Sequence, residues 1–108
     1  MPNITYDDFA KLDIRIAKIL ATEKIPGKSK IIKGIIDLGD EKREVIIGGA
    51  EYYQPEDLVG KTVVVIANLE PRNIAGFESN AMLLAADVND KPFWLTVSED
   101  VPLGTKIK

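Results

Sequence analysis

Apolar and polar residues alternate along much of the first half of this chain, and alternation with a period of two marks a half-buried strand. From Asp13 to Ile25 the apolar positions are Ile14, Ile16, Ala17, Ile19, Ala21 and Ile25, with Arg15, Lys18 and Thr22 between them. The phase slips by one residue at Ile16–Ala17, which predicts a long strand with a bulge at that point. Pro26-Gly27 breaks the run, and Lys28-Ser29-Lys30 reads as a polar turn. The β-branched runs Ile31–Leu38 and Glu44–Ile47 flank Gly39-Asp40-Glu41-Lys42, a hairpin signal, so the three strands form a meander. Ahead of them, Thr5 with Asp8 three residues on, then Phe9 and Leu12, predicts an N-capped short helix over residues 6–11.

The second half is punctuated more heavily. Gly48 to Gly60 holds paired glycines, two tyrosines and Pro55 followed by Glu56 and Asp57, which predicts a single helical turn starting at the proline. Lys61–Leu69 is the most strand-like run; Glu70–Phe77 reads as a long connection and Glu78–Ala86 as another strand. Five strands with a short helical element between the third and fourth is the order of an OB-type Greek-key barrel, so the expected class is all-β. Pro92–Val97 and Gly104–Ile107 add two short strands beyond those five. Nothing repeats internally, and 108 residues suit one domain with one buried core.

Composition narrows the chemistry more than the fold. The chain has no Cys and no His, which removes disulfides, thiolate nucleophiles, zinc sites of the usual ligand set and every Ser-His-Asp or Cys-His arrangement. The carboxylates are numerous but scattered and form no identifiable acid–base pair, so the reading is non-catalytic, with no metal and no cofactor. Gly60-Lys61-Thr62 resembles the end of a phosphate-binding P-loop, yet Pro55 stands where that motif needs Gly, and a strand follows where it needs a helix. The longest apolar run, Thr62–Ala67, is far short of a membrane span, and the stretch MPNITYDDF has neither a basic start nor an apolar signal core. The expected address is therefore cytoplasmic, with no membrane partner. The absence of Cys, the two Met and the heavy use of Lys, Glu and Ile match the bias of proteins from hot habitats.

Charge changes the picture. Net charge is −3, but Lys11 to Lys33 contains seven basic residues and two acids, a local +5 on a remainder of −8. A concentrated basic stretch on an acidic body docks a polyanion in one orientation, because the rest of the surface repels it. In an OB barrel, the face of strands 2 and 3 and the loops joining strands 1–2 and 4–5 meet nucleic acid. The first of these loops here is Lys24–Lys30, carrying Lys28 and Lys30, with Lys33 just beyond it. The second, Glu70–Ser79, holds Arg72, Asn73, Phe77 and Ser79: a guanidinium, an amide, an aromatic ring and a hydroxyl. Such groups bind phosphate, read a base edge and stack under a base. Their plainer roles are an ion pair for Arg72, a core plug for Phe77 and a turn cap for Ser79.

Two stretches carry a wider likeness. Phe9-Ala10-Lys11-Leu12-Asp13-Ile14-Arg15-Ile16-Ala17-Lys18-Ile19, followed about fifty residues later by Asn68-Leu69-Glu70-Pro71-Arg72-Asn73-Ile74-Ala75-Gly76-Phe77-Glu78-Ser79-Asn80-Ala81-Met82-Leu83-Leu84-Ala85, resembles the tRNA-binding domain family. That family includes the C-terminal or β-subunit domain of methionyl-tRNA synthetase, stand-alone bacterial tRNA-binding proteins, endothelial monocyte-activating polypeptide and the export-related chaperone CsaA. The resemblance spans essentially the whole chain. It implies an OB barrel with a C-terminal extension, a homodimer, and hence residues 87–108 as a dimerisation extension. It implies tRNA as ligand and an aminoacyl-tRNA synthetase as a partner. It points to Arg15 and Lys18 in the first stretch and to Arg72, Ser79 and Met82 in the second, with Asn68 shaping the loop. Ala17 stands where tRNA-binding members usually have Gly, and Asn73 and Ala75 where they carry further basic residues. Two missing cations imply weaker binding with a flatter salt dependence. Arg72–Phe77 and Val101–Ile107 look like the chaperone branch; Gly49–Tyr53 and Glu78–Leu83 look like the synthetase-related branch. The reading is a tRNA grip acting through charge and shape. The alternative is a CsaA-like chaperone that takes unfolded or export-bound peptides in a groove between protomers.

Overall fold

The long first strand organises the molecule. The computed structural model describes residues 1–108. After a short helix α1 (Tyr6–Ala10), capped by the Thr5 hydroxyl accepting from the Asp8 amide at 3.1 Å, β1 runs from Ile14 to Lys24. Its second half, Lys18–Lys24, pairs with β2 (Ile31–Asp37), which turns into β3 (Lys42–Gly48). After the single turn α2 (Pro55–Leu58), β4 (Thr62–Ile66) returns antiparallel to the first half of β1. Two small strands, β5 (Arg72–Ile74) and β6 (Phe77–Ser79), form a separate hairpin before β7 (Met82–Leu83) pairs with β4. The sheet order is β3-β2-β1-β4-β7. A hydrogen bond from the Asn80 amide to the Glu44 carbonyl, 3.1 Å, brings its two edges together. This is a nearly closed, all-β, OB-type barrel. A last hairpin, β8 (Ala85–Val88) with β9 (Lys91–Trp94), stands outside it.

Two cores share β1 and β4. Ala17, Ile19, Ile32, Ile36, Val45, Ile47, Val63 and Val65 fill the barrel, and Leu58 of α2 closes one end. Ile14, Ile16, Val64 and Ile66 point the other way, into a cluster covered by Phe9 and Leu12 from the N-terminal segment and by Leu84, Val97, Leu103 and Ile107. Strands covered on both faces read as continuous apolar runs. That explains why Ile16 and Ala17 are both fully buried: they serve opposite faces, and no bulge lies between them. The irregularity falls instead between Ile19 and Ala21, where Leu20 has no partner in β2.

Other expected boundaries also move. The fourth strand ends at Ile66, because the Ala67 amide bonds to the Asp13 carbonyl at 2.7 Å and the chain turns away. The expected connection Glu70–Phe77 contains β5, and the expected strand Glu78–Ala86 is divided among β6, β7 and β8 where Asn80 diverts to β3. Gly104–Ile107 is not a strand but a single bridge, Arg15 with Lys106. Even so, Gly104, Thr105 and Ile107 bond through their backbones to Ile16 and Ile14 at 2.7–2.9 Å. They occupy the edge of β1 that β2 does not reach.

Candidate nucleic-acid interface

The turn between β1 and β2 hangs from one apolar anchor. Ile25 is buried, the Lys28 amide bonds back to its carbonyl at 3.0 Å, and the residues between stand in solvent. Lys24, Lys28 and Lys30 are exposed, and none of them forms an ion pair within the chain. The turn is thus a cluster of uncommitted ammonium groups at the end of the barrel where β3 finishes, since Ile31 pairs with Gly48.

The β5–β6 hairpin lies against β3, with the Asn80 amide bonded to the Glu44 carbonyl at 3.1 Å. The Ser79 hydroxyl accepts from the Ile46 amide at 3.0 Å and donates to the Ala81 carbonyl at 3.2 Å. Ser79 is therefore buried and engaged, holding the hairpin to the barrel. At the same level, since Lys33 pairs with Ile46, the Lys33 ammonium lies 4.6 Å above the Phe77 ring and 3.5 Å from the Glu44 carboxylate. Phe77 is half-buried under this cation, which stands between the hairpin and the sheet face. Arg72 and Asn73 are exposed; the Asn73 side-chain carbonyl accepts from the Gly76 amide at 3.2 Å, within the hairpin turn. Arg72, Ile74, Ile46 and Met82 line a small cavity of about 120 Å³, with Met82 41% exposed at its rim.

The base of the hairpin is tied down by side chains. The Asn68 carboxamide accepts from the Asp13 amide at 2.8 Å and donates to the Lys11 carbonyl at 2.7 Å. Arg43 donates to the carbonyls of Ala67 and Asn80 and to the Glu41 carboxylate. Sequence reasoning missed Arg43, because nothing local marks a β3 residue as a clamp on a loop 24 residues away. Hydrogen bonds to a charged donor are the stronger kind, so the loop is fixed before any ligand arrives.

Arg15 lies elsewhere. It grips Asp13, with Nε 3.0 Å from Oδ1 and a second nitrogen 2.8 Å from Oδ2, and stands 3.7 Å from Asp40 in the β2–β3 turn. The Arg15 hydrogen bond holds the Asp13 carboxyl below its ordinary range, and the same bond pushes Arg15 further up. Nine strand positions separate Arg15 from Lys24, about 30 Å at the usual rise. Arg15 therefore sits at the end of the barrel opposite the lysine turn. Lys18, half-exposed, lies between them, its backbone paired with both Asp37 and Thr62. The sheet face itself is mixed, since Glu23 and Ile46 flank Lys33 in register and Glu44 pairs with its ammonium. No helix is long and apolar enough to cross a membrane.

Comparison with known proteins gives this geometry a family. The model described as "Putative tRNA binding domain" matches residues 14–106, which takes in both loops and the tail along β1. The methionine–tRNA ligase of Methanocella arvoryzae is 52% identical across 100% of this chain, which spans only 16% of that enzyme. Among solved structures, the MetRS related protein from Pyrococcus horikoshii superimposes with a TM-score of 0.93 at 35% identity, each chain covered in full. The chaperone CsaA from Bacillus anthracis superimposes with a TM-score of 0.90 at 28% identity, over 99% of this chain and 100% of its own. This chain belongs to the tRNA-binding domain family and is homologous to the C-terminal domain of methionyl-tRNA synthetase.

Proposed function

We propose that the domain is a non-catalytic grip for structured tRNA. The observation that carries this reading is the family match over residues 14–106, with the uncommitted lysines and the β5–β6 hairpin inside it. Lys28 and Lys30 contact phosphates, while Arg72 and Asn73 hold the backbone or an unstacked base from the other side. Lys33, packed on Phe77, links the two. Arg15 and Ser79 act as positioning residues, because each is already committed to partners in the fold. Lys18 and Met82 border the contact area. A module of this kind raises the local tRNA concentration for a cytoplasmic synthetase, joined to it or bound by it, without doing chemistry of its own. Residues 87–108 pair two copies, which supports two such surfaces in one particle; Val88, Phe93, Leu95 and Val101 leave apolar area exposed there.

A gel shift with tRNA at low and moderate salt tests the reading. Binding should fall steeply as salt rises, and Arg72→Ala should weaken all tRNAs alike and reduce the salt slope by about one unit. The full superposition on the CsaA chaperone favours a second reading, peptide capture in a groove between protomers. Indifference to tRNA together with retention of unfolded peptide would select it.

A further inference from the structure

A cavity of about 390 Å³ opens between the β1–β2 turn and the segment that leads from β3 into α2. Lys24 and Lys28 stand on one wall; Glu51, Tyr52, Gln54 and Asp57 line the other. Two cations and two anions thus share one cavity, yet no pair of them approaches within ion-pair distance. Opposite charges left unpaired in one recess suit a ligand that itself presents an anion at one end and hydrogen-bond donors at the other.

The walls are preformed. The Ala50 amide bonds to the Lys30 carbonyl at 3.1 Å, and the Thr22 hydroxyl donates to the Pro55 carbonyl at 2.8 Å, joining the two sides of the recess. The neighbouring Tyr53 is locked by its hydroxyl donating to the Pro92 carbonyl at 2.6 Å and by the Trp94 ring at 6.4 Å. Gly49, at φ +79°, brings the chain so close to the β8–β9 hairpin that a Cβ there would meet Pro92 at 2.4 Å. Tyr52 is left 43% exposed at the rim, with the Lys91 ammonium 6.0 Å from its ring.

We infer that this cavity takes one unstacked nucleotide of the bound RNA and prefers a base bearing an exocyclic amino group. The base stacks on Tyr52, its amino group donates to the Glu51 or Asp57 carboxylate, and its flanking phosphates meet Lys24 and Lys28. The assignment rests on the RNA-binding reading above and adds a base preference that phosphate contacts alone do not supply. Uracil fits it poorly, because it has no exocyclic amino group: its O4 carbonyl would face the carboxylates where cytosine offers the N4 amino group, leaving N3–H as its single donor between two carbonyl oxygens.

Fluorescence anisotropy on the whole chain tests this with labelled oligocytidylate and oligouridylate of equal length, followed by competition with tRNA. Oligocytidylate should bind roughly fivefold or more tightly than oligouridylate. Tyr52→Ala should weaken tRNA binding by about tenfold, as expected for one lost stacked base, while Tyr52→Phe should retain it. Glu51→Gln with Asp57→Asn, both on exposed side chains, should erase the preference for cytidylate, bringing the two oligomers to equal affinity. Unchanged thermal melting would show that these variants are folded. Equal affinity for the two oligomers, or tRNA affinity within twofold of wild type for Tyr52→Ala, overturns the inference. If Arg72→Ala still weakens tRNA in that case, the RNA-binding reading stands; if the unaltered chain fails to bind tRNA, both fall.

Discussion

Asp13 and Arg15 illustrate how a residue that looks like ligand chemistry in sequence can be committed within the fold. The pair closes the end of β1 against the β2–β3 turn, and its geometry is two-pronged, the strong form of a carboxylate–guanidinium contact. Because the folded carboxyl is held below its ordinary range, its stabilisation is present above about pH 4 and disappears as pH falls through the depressed value. Asp13→Asn should therefore lower stability by up to about 1 kcal/mol near neutrality. The gap to wild type should close as pH falls through that depressed value, in urea melts taken across the acid range. Ser79 is a second example. Its hydroxyl answers the Ile46 amide, so Ser79→Ala should cost about 1–3 kcal/mol by leaving that donor unpaired, and should loosen the β5–β6 hairpin. Ser79 carries no mark in the sequence of this use, since its partner lies 33 residues away, and the Asp13–Arg15 spacing of two places both on one face of the extended chain without saying that they pair with each other and not with a ligand.

Among the elements, the meander was legible because its period-two pattern and its Pro-Gly and Gly-Asp punctuation are local signals. The β5–β6 hairpin was not. Its strands are three residues each, and its turn places Ala75 at φ 54° and Gly76 at φ 85°, a conformation usually signalled by Asn-Gly. The β8–β9 turn uses Asn89-Asp90 for the same purpose. Ala75→Asn should accordingly raise stability by about 0.5–1 kcal/mol, seen as a rise of several degrees in the melting midpoint. The tail depends on a close approach: Gly104 is at φ +86°, and a Cβ there would fall 2.3 Å from the Leu38 carbonyl oxygen. Gly104→Ala should detach residues 104–107 from β1, detected as faster hydrogen exchange at the Ile16 amide, whose acceptor is the Thr105 carbonyl.

At the scale of the whole molecule, a basic segment on an acidic body and an apolar set at the C-terminal end set out two expected behaviours. If residues 87–108 pair two copies, light scattering should give a dimer mass, and Leu95→Asp with Val101→Asp should reduce it to the monomer at the same concentration. Pairing would also present two tRNA grips together, so the monomeric variant should lose tRNA affinity through lost avidity alone. The sequence by itself determined the barrel, because binary pattern and turn chemistry are written in neighbouring residues. It also determined the family likeness, the absence of Cys and His and the location of the positive charge. The tertiary structure decided what those groups are free to do. It tied Arg15 and Ser79 into the fold, seated Lys33 on Phe77 and made Arg43 a clamp. It also placed Lys24 and Lys28 across a cavity from Glu51, Tyr52 and Asp57. Whether a polar side chain is free depends on groups brought near by strand register and packing, and those distances are not encoded in the spacing of residues along the chain.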